Sequence, residues 1–196
     1  TLYLGFCSLM PAETFHGHGL RKDLAEKLEQ IIFILAFPGG CIVEGFTLET
    51  AMFFCNTVGP VWERPSHWLL WHYRTTNGLG FHEYLQLCED LKLSALYGAT
   101  GYDLSGTRSL LFQRSSNAVA INDTLNALEY ALGSSQTHWG SLRAKMGHPE
   151  PFSLKYLEIG NENSVLNMRL ALIAFEKLCL NAILRSLLSP TQEAKQ

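Results

Sequence analysis

The residue of this chain best suited to acid–base chemistry is a glutamate at the end of a predicted buried strand. The run Tyr156-Leu-Glu-Ile-Gly-Asn-Glu-Asn163 places Glu162 two residues after Gly160, a residue type that permits a sharp turn. Partial desolvation at the rim of a site would raise the pKa of the Glu162 carboxyl and suit it to donate a proton near neutral pH. Asn161 beside it can hydrogen-bond a substrate hydroxyl. The alternative is an ordinary Gly-Asn turn with solvated acids.

A second predicted strand ends in the run Phe37-Pro-Gly-Gly-Cys41, followed closely by Glu44. Cys41 is one of five cysteines. Their number is odd, they are widely spaced, and no two form a CxxC pair. Buried free thiols are therefore expected, and neither a disulfide framework nor a zinc site is. His16 and His18 are two residues apart but have no third ligand at suitable spacing, so they are expected to be solvated. The sequence predicts no metal and no cofactor.

Apolar periodicity predicts strands that alternate with helices, which is the pattern of an α/β fold with a parallel sheet. Predicted strands cover residues 1–10, 31–37, 94–99 and 152–159, and predicted helices cover residues 20–30, 80–93, 122–132 and 165–188. Leu20, Leu24 and Leu28 fall on one face of the first helix. Asn122 or Asp123 is expected to cap the third helix. In such folds the site lies at the carboxyl ends of the strands, where Cys41 and Glu162 stand.

Composition excludes several classes of function. The chain has 196 residues, 47% hydrophobic and 17% charged, which suits a globular protein with a sizeable core. A net charge of -3 without a basic run argues against nucleic-acid binding. The long apolar stretch over residues 165–188 contains charged side chains, so no membrane span is expected.

Five blocks in a fixed order resemble glycoside hydrolase family 51, the α-L-arabinofuranosidases. They span roughly residues 8 to 163, and their order is far more specific than a single Gly-Asn-Glu motif. The blocks are Gly19-Leu-Arg-Lys-Asp-Leu-Ala25, Phe37-Pro-Gly-Gly-Cys-Ile-Val-Glu-Gly45, Val58-Gly-Pro-Val-Trp-Glu-Arg-Pro65, the run over 76–90 that begins Thr-Asn-Gly-Leu-Gly-Phe-His-Glu, and the run over 139–163 that ends in Gly-Asn-Glu-Asn.

The resemblance implies a (β/α)₈ TIM barrel and a retaining mechanism with two carboxyl groups. Glu162 matches the position of the family's acid/base and Asn161 that of its substrate-binding Asn. Trp71 matches an aromatic that lines the sugar pocket, with an ordinary core aromatic as the alternative. Cys41 falls where some relatives carry a pocket-lining Asn. Glu44, near the same strand end, is expected to be a solvated or structural acid.

The resemblance also implies a partner and a compartment. The partner is an oligo- or polysaccharide that contains arabinose, and a homo-oligomer of the full-length form is compatible with the family. Because many relatives are exported, an extracellular or periplasmic location is favoured. The same scaffold could also serve another glycosidase, such as a β-xylosidase or an endoglucanase.

The chain departs from the family pattern in three places. Ala36 stands where the family usually has an Arg that supports the catalytic carboxylates, and the strand end over 96–100 lacks the usual Val-Asn signature. The nucleophile is expected on a later strand, beyond Gln196.

The sequence therefore predicts one incomplete barrel domain over 1–196 that lacks the C-terminal strands and the C-terminal β-sandwich. Residues 1–10 could be a strand from a preceding β-domain, and residues 189–196 form a polar tail. The alternative function is a catalytically inactive remnant that binds sugar weakly or serves as an interaction module.

Overall fold

The computed structural model describes Cys7 and residues 9–45, 50–99 and 110–160, with residues 110–118 described as backbone only. The helices are α1 (Lys22–Leu28), α2 (Cys41–Glu44), α3 (Phe81–Asp90), α4 (Leu110–Leu132) and α5 (His138–Lys145). The strands are β1 (Ile34–Phe37), β2 (His67–Trp68), β3 (Arg74–Thr75), β4 (Ser94–Ala99) and β5 (Leu154–Ile159). The strand predicted over 1–10 falls almost wholly outside the described residues, as do the helix predicted over 165–188 and the tail over 189–196.

A parallel three-stranded sheet forms the centre of the molecule, in the order β1-β4-β5. Phe37 pairs with Tyr97, and Ala99 pairs with Ile159. Helix α3 connects β1 to β4, and α4 and α5 lie between β4 and β5 in the chain. Because parallel neighbours need crossover connections, this alternation is the α/β arrangement that the sequence predicts.

The main core lies between β4 and the helices and is largely aromatic. Tyr97 of β4 meets Phe81 of α3 edge to face, with ring centroids 4.7 Å apart. Phe54 packs edge-on against both Phe81 and Tyr130, at 5.3 and 5.4 Å. Burial of these rings fixes α3 and α4 against the strands.

Helix α1 differs from its prediction. Its Leu24 and Leu28 are 48% and 38% exposed in the described structure, whereas Ala25 is buried. Ala25 packs with Phe15 and the α3 side of the sheet, and Leu20 supports this cluster from outside the helix. The expected leucine face is therefore wrong for Leu24 and Leu28, because the small Ala25 side chain makes the close contact.

The predicted cap of the third helix is also wrong. Helix α4 begins at Leu110, so Asn122 and Asp123 lie well inside it. The Asp123 carboxylate instead accepts the backbone N–H of Phe54 at 2.8 Å. Burial raises the pKa of Asp123 to about 6. A residue type that suits a cap serves here to anchor the 3₁₀ turn Phe54–Asn56 to the helix.

Four helices and strands were not predicted, namely α2, α5 and the two strands β2 and β3. Helix α5 begins after Thr137, whose hydroxyl accepts the backbone N–H of Gly140 at 3.1 Å and so caps the helix. Strands β2 and β3 form a small antiparallel hairpin in which Trp68 pairs with Arg74. No helix in the described part of the chain has the length and apolarity to cross a membrane.

Candidate active site

The carboxyl ends of the three parallel strands lie side by side. The backbone N–H of Gly98 donates to the carbonyl of Pro38 at 3.1 Å, and that of Gly160 donates to the carbonyl of Ala99 at 3.0 Å. Gly160 has φ of 82°, a left-handed conformation that glycine adopts without strain. The chain therefore turns out of β5 beside the end of β4. The predicted catalytic Glu162 and its neighbour Asn161 follow directly and lie outside the described residues.

A cleft of about 470 Å³ opens at the end of β1. One wall is formed by Ala36, Gly39 and Ile42, and the facing wall by the loop over residues 75–79. Beside this wall the strand ends approach closely, since a Cβ at Gly98 would lie 2.5 Å from the Pro38 carbonyl oxygen. The glycine thus brings β4 against the turn that follows β1.

A buried ion pair holds the loop over 75–79 in place. Arg64 and Glu83 form two hydrogen bonds, at 2.7 and 2.9 Å, and the Arg64 side chain is 1% exposed. The same guanidinium donates to the carbonyls of Asn77 and Gly59, both at 2.9 Å. Glu83 in turn accepts the N–H of Gly80 at 2.8 Å, at the start of α3. One arginine therefore ties the cleft loop, the loop before it and a helix terminus together.

Asn77 is the best-fixed residue of this loop. It is 3% exposed and has φ of 54°, a conformation that Asn tolerates better than most residues. Its side-chain amide donates to the carbonyl of Pro65 at 2.9 Å, while its buried Oδ1 has no hydrogen-bond partner within the described structure. The loop presents a preorganised wall to the cleft.

Sequence reasoning did not identify Arg64, Asn77 or Glu83 as important to the site. All three lie in the five ordered blocks that carry the family resemblance. Arg64 and Glu83 are 19 residues apart in the sequence. No local pattern indicates that they pair, because they meet only when α3 packs in place. An arginine and a glutamate in two consecutive blocks were the available hint.

Cys41 and Trp71 are the two predicted binding residues that the structure describes, and they belong to separate elements. Cys41 is half-buried and opens α2, directly after Gly40 with φ of 67°. Trp71 lies in the turn between β2 and β3, is 48% exposed, and stands outside the described lining of the cleft. Glu44 is buried, at 9% exposed, which agrees with the structural reading of this acid and not the solvated one.

Three histidines of the described region contact acidic or hydroxyl side chains of the framework. His18 pairs with Asp90 at 2.7 Å. His82 contacts the hydroxyl of Tyr130 at 2.8 Å, and burial lowers its pKa to about 4. His148 contacts Glu89 at 3.0 Å. Within the described ranges, no group of three His, Cys, Asp or Glu side chains could hold a metal ion.

Comparison with known proteins gives one consistent result. The family model of the alpha-L-arabinofuranosidase 1 domain matches residues 28–175. Alpha-L-arabinofuranosidase 1 of Arabidopsis thaliana is 38% identical over 169 residues, which cover 83% of this chain and 24% of that protein. The extracellular exo-alpha-L-arabinofuranosidase of Streptomyces chartreusis is 36% identical over 182 residues, covering 83% of this chain and 22% of that protein.

A solved structure supports the same assignment. The arabinose-bound MgGH51 α-L-arabinofuranosidase superposes with a TM-score of 0.66 at 33% identity, covering 81% of this chain and 26% of that one. The chain spans about a quarter of the length of these relatives. The matched region includes β1, β4, β5 and the run that contains Glu162. The chain belongs to the α-L-arabinofuranosidases of glycoside hydrolase family 51.

Proposed function

We propose that this chain supplies the acid/base part of a retaining α-L-arabinofuranosidase, which removes terminal arabinofuranose from arabinan or arabinoxylan. Glu162 protonates the leaving glycosidic oxygen and later activates the water that releases the sugar. A second carboxylate, about 5 Å from the first, attacks the anomeric carbon and forms the covalent intermediate. By the family resemblance, that nucleophile lies on a later strand, beyond Gln196.

The observation that carries the proposal is the position at which the chain leaves β5. Gly160 is hydrogen-bonded to the end of β4, beside the turn that follows β1 and the cleft that opens there. Glu162 follows two residues later. In α/β folds with parallel strands, catalytic residues gather at this edge.

Three further residues are proposed to bind the sugar. Asn161 hydrogen-bonds a ring hydroxyl next to the scissile bond. Trp71 offers an aromatic face to the apolar side of the furanose ring. Cys41, which opens α2 after the turn that follows β1, is proposed to line the pocket that holds the arabinose.

The fold proposal follows from the same strand ends. We propose that β1, β4 and β5 are consecutive strands of a (β/α)₈ barrel, and that residues 1–196 form one incomplete catalytic domain. Strand β1 has a neighbour on one side only within the described sheet. Closing the barrel would pair its free edge, which in an open sheet is a liability.

The test is hydrolysis of p-nitrophenyl α-L-arabinofuranoside by this protein at full length. Glu162→Gln is expected to lower kcat by 10²-fold or more, because glutamine cannot activate the water that releases the sugar from the covalent intermediate, and general acid–base catalysis contributes about 10²–10⁴-fold. Glu150→Gln is the matched control, since Glu150 is an exposed acid near the amino end of β5. Equal rates for the parent and Glu162→Gln would refute the acid/base role.

A second candidate function is sugar binding without turnover. Ala36 lines the cleft where the resemblance leads us to expect an arginine that supports the carboxylates. Calorimetry with arabino-oligosaccharides separates the two candidates. Binding heat without release of p-nitrophenol from the glycoside by the full-length protein favours sugar binding, and release that depends on Glu162 favours hydrolysis.

The compartment is also a proposal. The Streptomyces chartreusis relative is described as extracellular. We infer an extracellular or periplasmic location for this protein, where plant cell-wall polysaccharide is accessible. Fractionation of the source cells followed by immunoblotting checks this.

A further inference from the structure

Glu158 carries a carboxylate on the side of the sheet that faces away from the helices. Its neighbours in β5, Leu157 and Ile159, pack against Leu128 of α4. Because successive side chains of a strand point to opposite faces, Glu158 points to the other side of the sheet. It is exposed, and it forms no hydrogen bond or ion pair with another residue that the structure describes. Within the described ranges, the Glu158 carboxylate therefore has acceptor oxygens to offer to a ligand.

The cleft at the end of β1 opens on the same side of the sheet. Ala36 lines the cleft, and the next residue, Phe37, is buried in the core against which Leu157 also packs. Phe37 and Leu157 thus lie on the helix side of the sheet. By the alternation of side chains along each strand, Ala36 and Glu158 both lie on the side of the cleft.

Two glycines bring the Glu158 carboxylate close to the wall of the cleft. Glu158 pairs with Gly98 of β4, and the turn after β1 fills the space where Gly98 would carry a side chain. A Cβ at Gly98 would lie 2.5 Å from the Pro38 carbonyl oxygen and 2.7 Å from the Gly39 Cα. A Cβ at Gly39 would in turn lie 3.9 Å from Oε2 of Glu158. Since Gly39 lines the cleft, the carboxylate stands beside the cleft wall.

A carboxylate in this position suits a ligand that carries hydroxyl groups. Its two oxygens only accept hydrogen bonds, so it binds groups that donate them. A metal ion would need further ligands, and no group of three His, Cys, Asp or Glu side chains among the described residues could hold one. A furanose ring is uncharged and carries several hydroxyls, and a hydroxyl binds a carboxylate more strongly than a neutral acceptor.

We propose that Glu158 accepts a hydrogen bond from a hydroxyl of the arabinofuranose bound in the cleft and so helps to determine which sugars are accepted. This inference rests on the proposed function. It adds a glutamate that contacts the sugar without transferring a proton. A site built to bind a hydroxyl rejects analogues that lack it, because its polar group is then left without a partner.

Calorimetry on this protein at full length tests the contact, with methyl α-L-arabinofuranoside and with analogues that each lack one of its free hydroxyls. All proteins compared carry Glu162→Gln, so that the ligand is not consumed. Glu158→Ala is expected to raise the dissociation constant of the methyl glycoside by roughly ten- to a hundredfold, the value of one hydrogen bond to a charged group. Its effect on the analogue that lacks the contacted hydroxyl should be much smaller, since that ligand has no such bond to lose.

Two further variants complete the comparison. Glu158→Gln keeps the shape of the side chain and one acceptor oxygen, so its dissociation constant is expected to lie between those of the reference protein and Glu158→Ala. It also serves if the alanine variant does not fold. Glu150→Gln is the control, because Glu150 is an exposed acid near the amino end of β5, and it is expected to bind every ligand as the reference protein does.

Equal fold losses on all the ligands would overturn the contact, because they would show that Glu158 acts on the fold alone. Unchanged dissociation constants in both Glu158 variants, an equal loss in Glu150→Gln, or no binding of the methyl glycoside by the reference protein would overturn it as well. Release of p-nitrophenol that does not depend on Glu162 contradicts only the acid/base role, whereas equal losses on all the ligands contradict only the contact of Glu158.

Discussion

At the scale of residues, the cleft depends on a buried arginine more than on the side chains that line it. Arg64 makes two hydrogen bonds to Glu83 and others to the carbonyls of Asn77 and Gly59. Lysine cannot reproduce this fork, because its ammonium is a single point of donation. In the proposed function, Arg64 is a positioning residue that affects sugar binding only through the loop over 75–79.

Replacing Arg64 with lysine is expected to lower the free energy of unfolding by about 2–3 kcal/mol, since the buried pair loses its geometry. The Michaelis constant for the arabinofuranoside should rise several-fold as the loop loosens, with a smaller change in kcat. Urea unfolding and steady-state kinetics measure the two effects.

Arg143→Lys provides the matched control for this substitution. Arg143 is fully buried and donates to the carbonyls of His148 and Pro149 at 3.0 and 2.9 Å, away from the cleft loop. This variant is expected to lose comparable stability and to keep the parent KM. An equal rise in KM for both variants would show that Arg64 has only a general structural role.

At the scale of elements, α4 and α3 are each fixed by one unusual position. Asp123 of α4 places a buried carboxylate against the turn Phe54–Asn56. Gly80 begins α3 where a Cβ would lie 1.9 Å from the carbonyl oxygen of Thr57. Both contacts join a helix to a loop that is distant in sequence.

Asp123 should make stability depend on pH. Its pKa rises from 3.8 to about 6 in the folded chain, mainly through burial. The folded state therefore holds this proton more tightly than the unfolded state. Its contribution to stability is complete below pH 4 and is lost as the pH rises through about 6.

The Asp123→Asn variant removes this titration. The parent loses this contribution as the pH rises, and the variant does not. The free energy of unfolding of the variant minus that of the parent is therefore expected to increase by about 2–3 kcal/mol from pH 4 to pH 7. Urea unfolding at several pH values measures the difference. A constant difference across this range would show that Asp123 does not titrate as inferred.

Gly80→Ala is expected to destabilise the fold by about 2–4 kcal/mol, because backbone atoms must move to admit the methyl group. Gly39→Ala is the comparison, since its nearest contact would be a flexible Glu158 oxygen at 3.9 Å. Thermal unfolding of the two variants should differ clearly. Similar melting temperatures would contradict the close packing of α3 on Thr57.

At the scale of the whole molecule, the described sheet is open at β1. Ile34 of β1, Phe33 before it and Leu24 of α1 are exposed apolar side chains near this edge, at 54%, 84% and 48%. Barrels remove such edges by closure. The exposed face therefore supports the proposal that further strands of a barrel pack here.

The sequence predicted the parts of the fold that depend on local patterns. Strand β4 and the core of α3 follow directly from apolar periodicity, and the Gly160 turn follows from residue type. The role of Asp123 was missed because its partner Phe54 is 69 residues away. The strands of the hairpin around Trp71 are only two residues long, so apolar periodicity did not predict them. The stacking of Tyr73 on Trp71 is seen only in the structure.

The candidate site divides in the same way. The five ordered blocks identified the family. They also identified the position of Glu162, because the Gly-Asn-Glu run is contiguous in the sequence. The Arg64–Glu83 pair depends on how loops fold against each other. The prediction for Glu162 itself stays a prediction, since that residue lies outside the described structure.

The role of Glu162 as general acid is tested most directly with two aryl α-L-arabinofuranosides whose leaving phenols differ in acidity. Both substrates are given to the parent enzyme and to Glu162→Gln. An acid that protonates the leaving oxygen matters most when the leaving group is poor. Glu162→Gln is expected to lower kcat/KM, which reports the step that releases the phenol, strongly for the less acidic phenol and much less for the more acidic phenol. Equal losses of kcat/KM on both substrates, or on neither, would contradict Glu162 as the general acid.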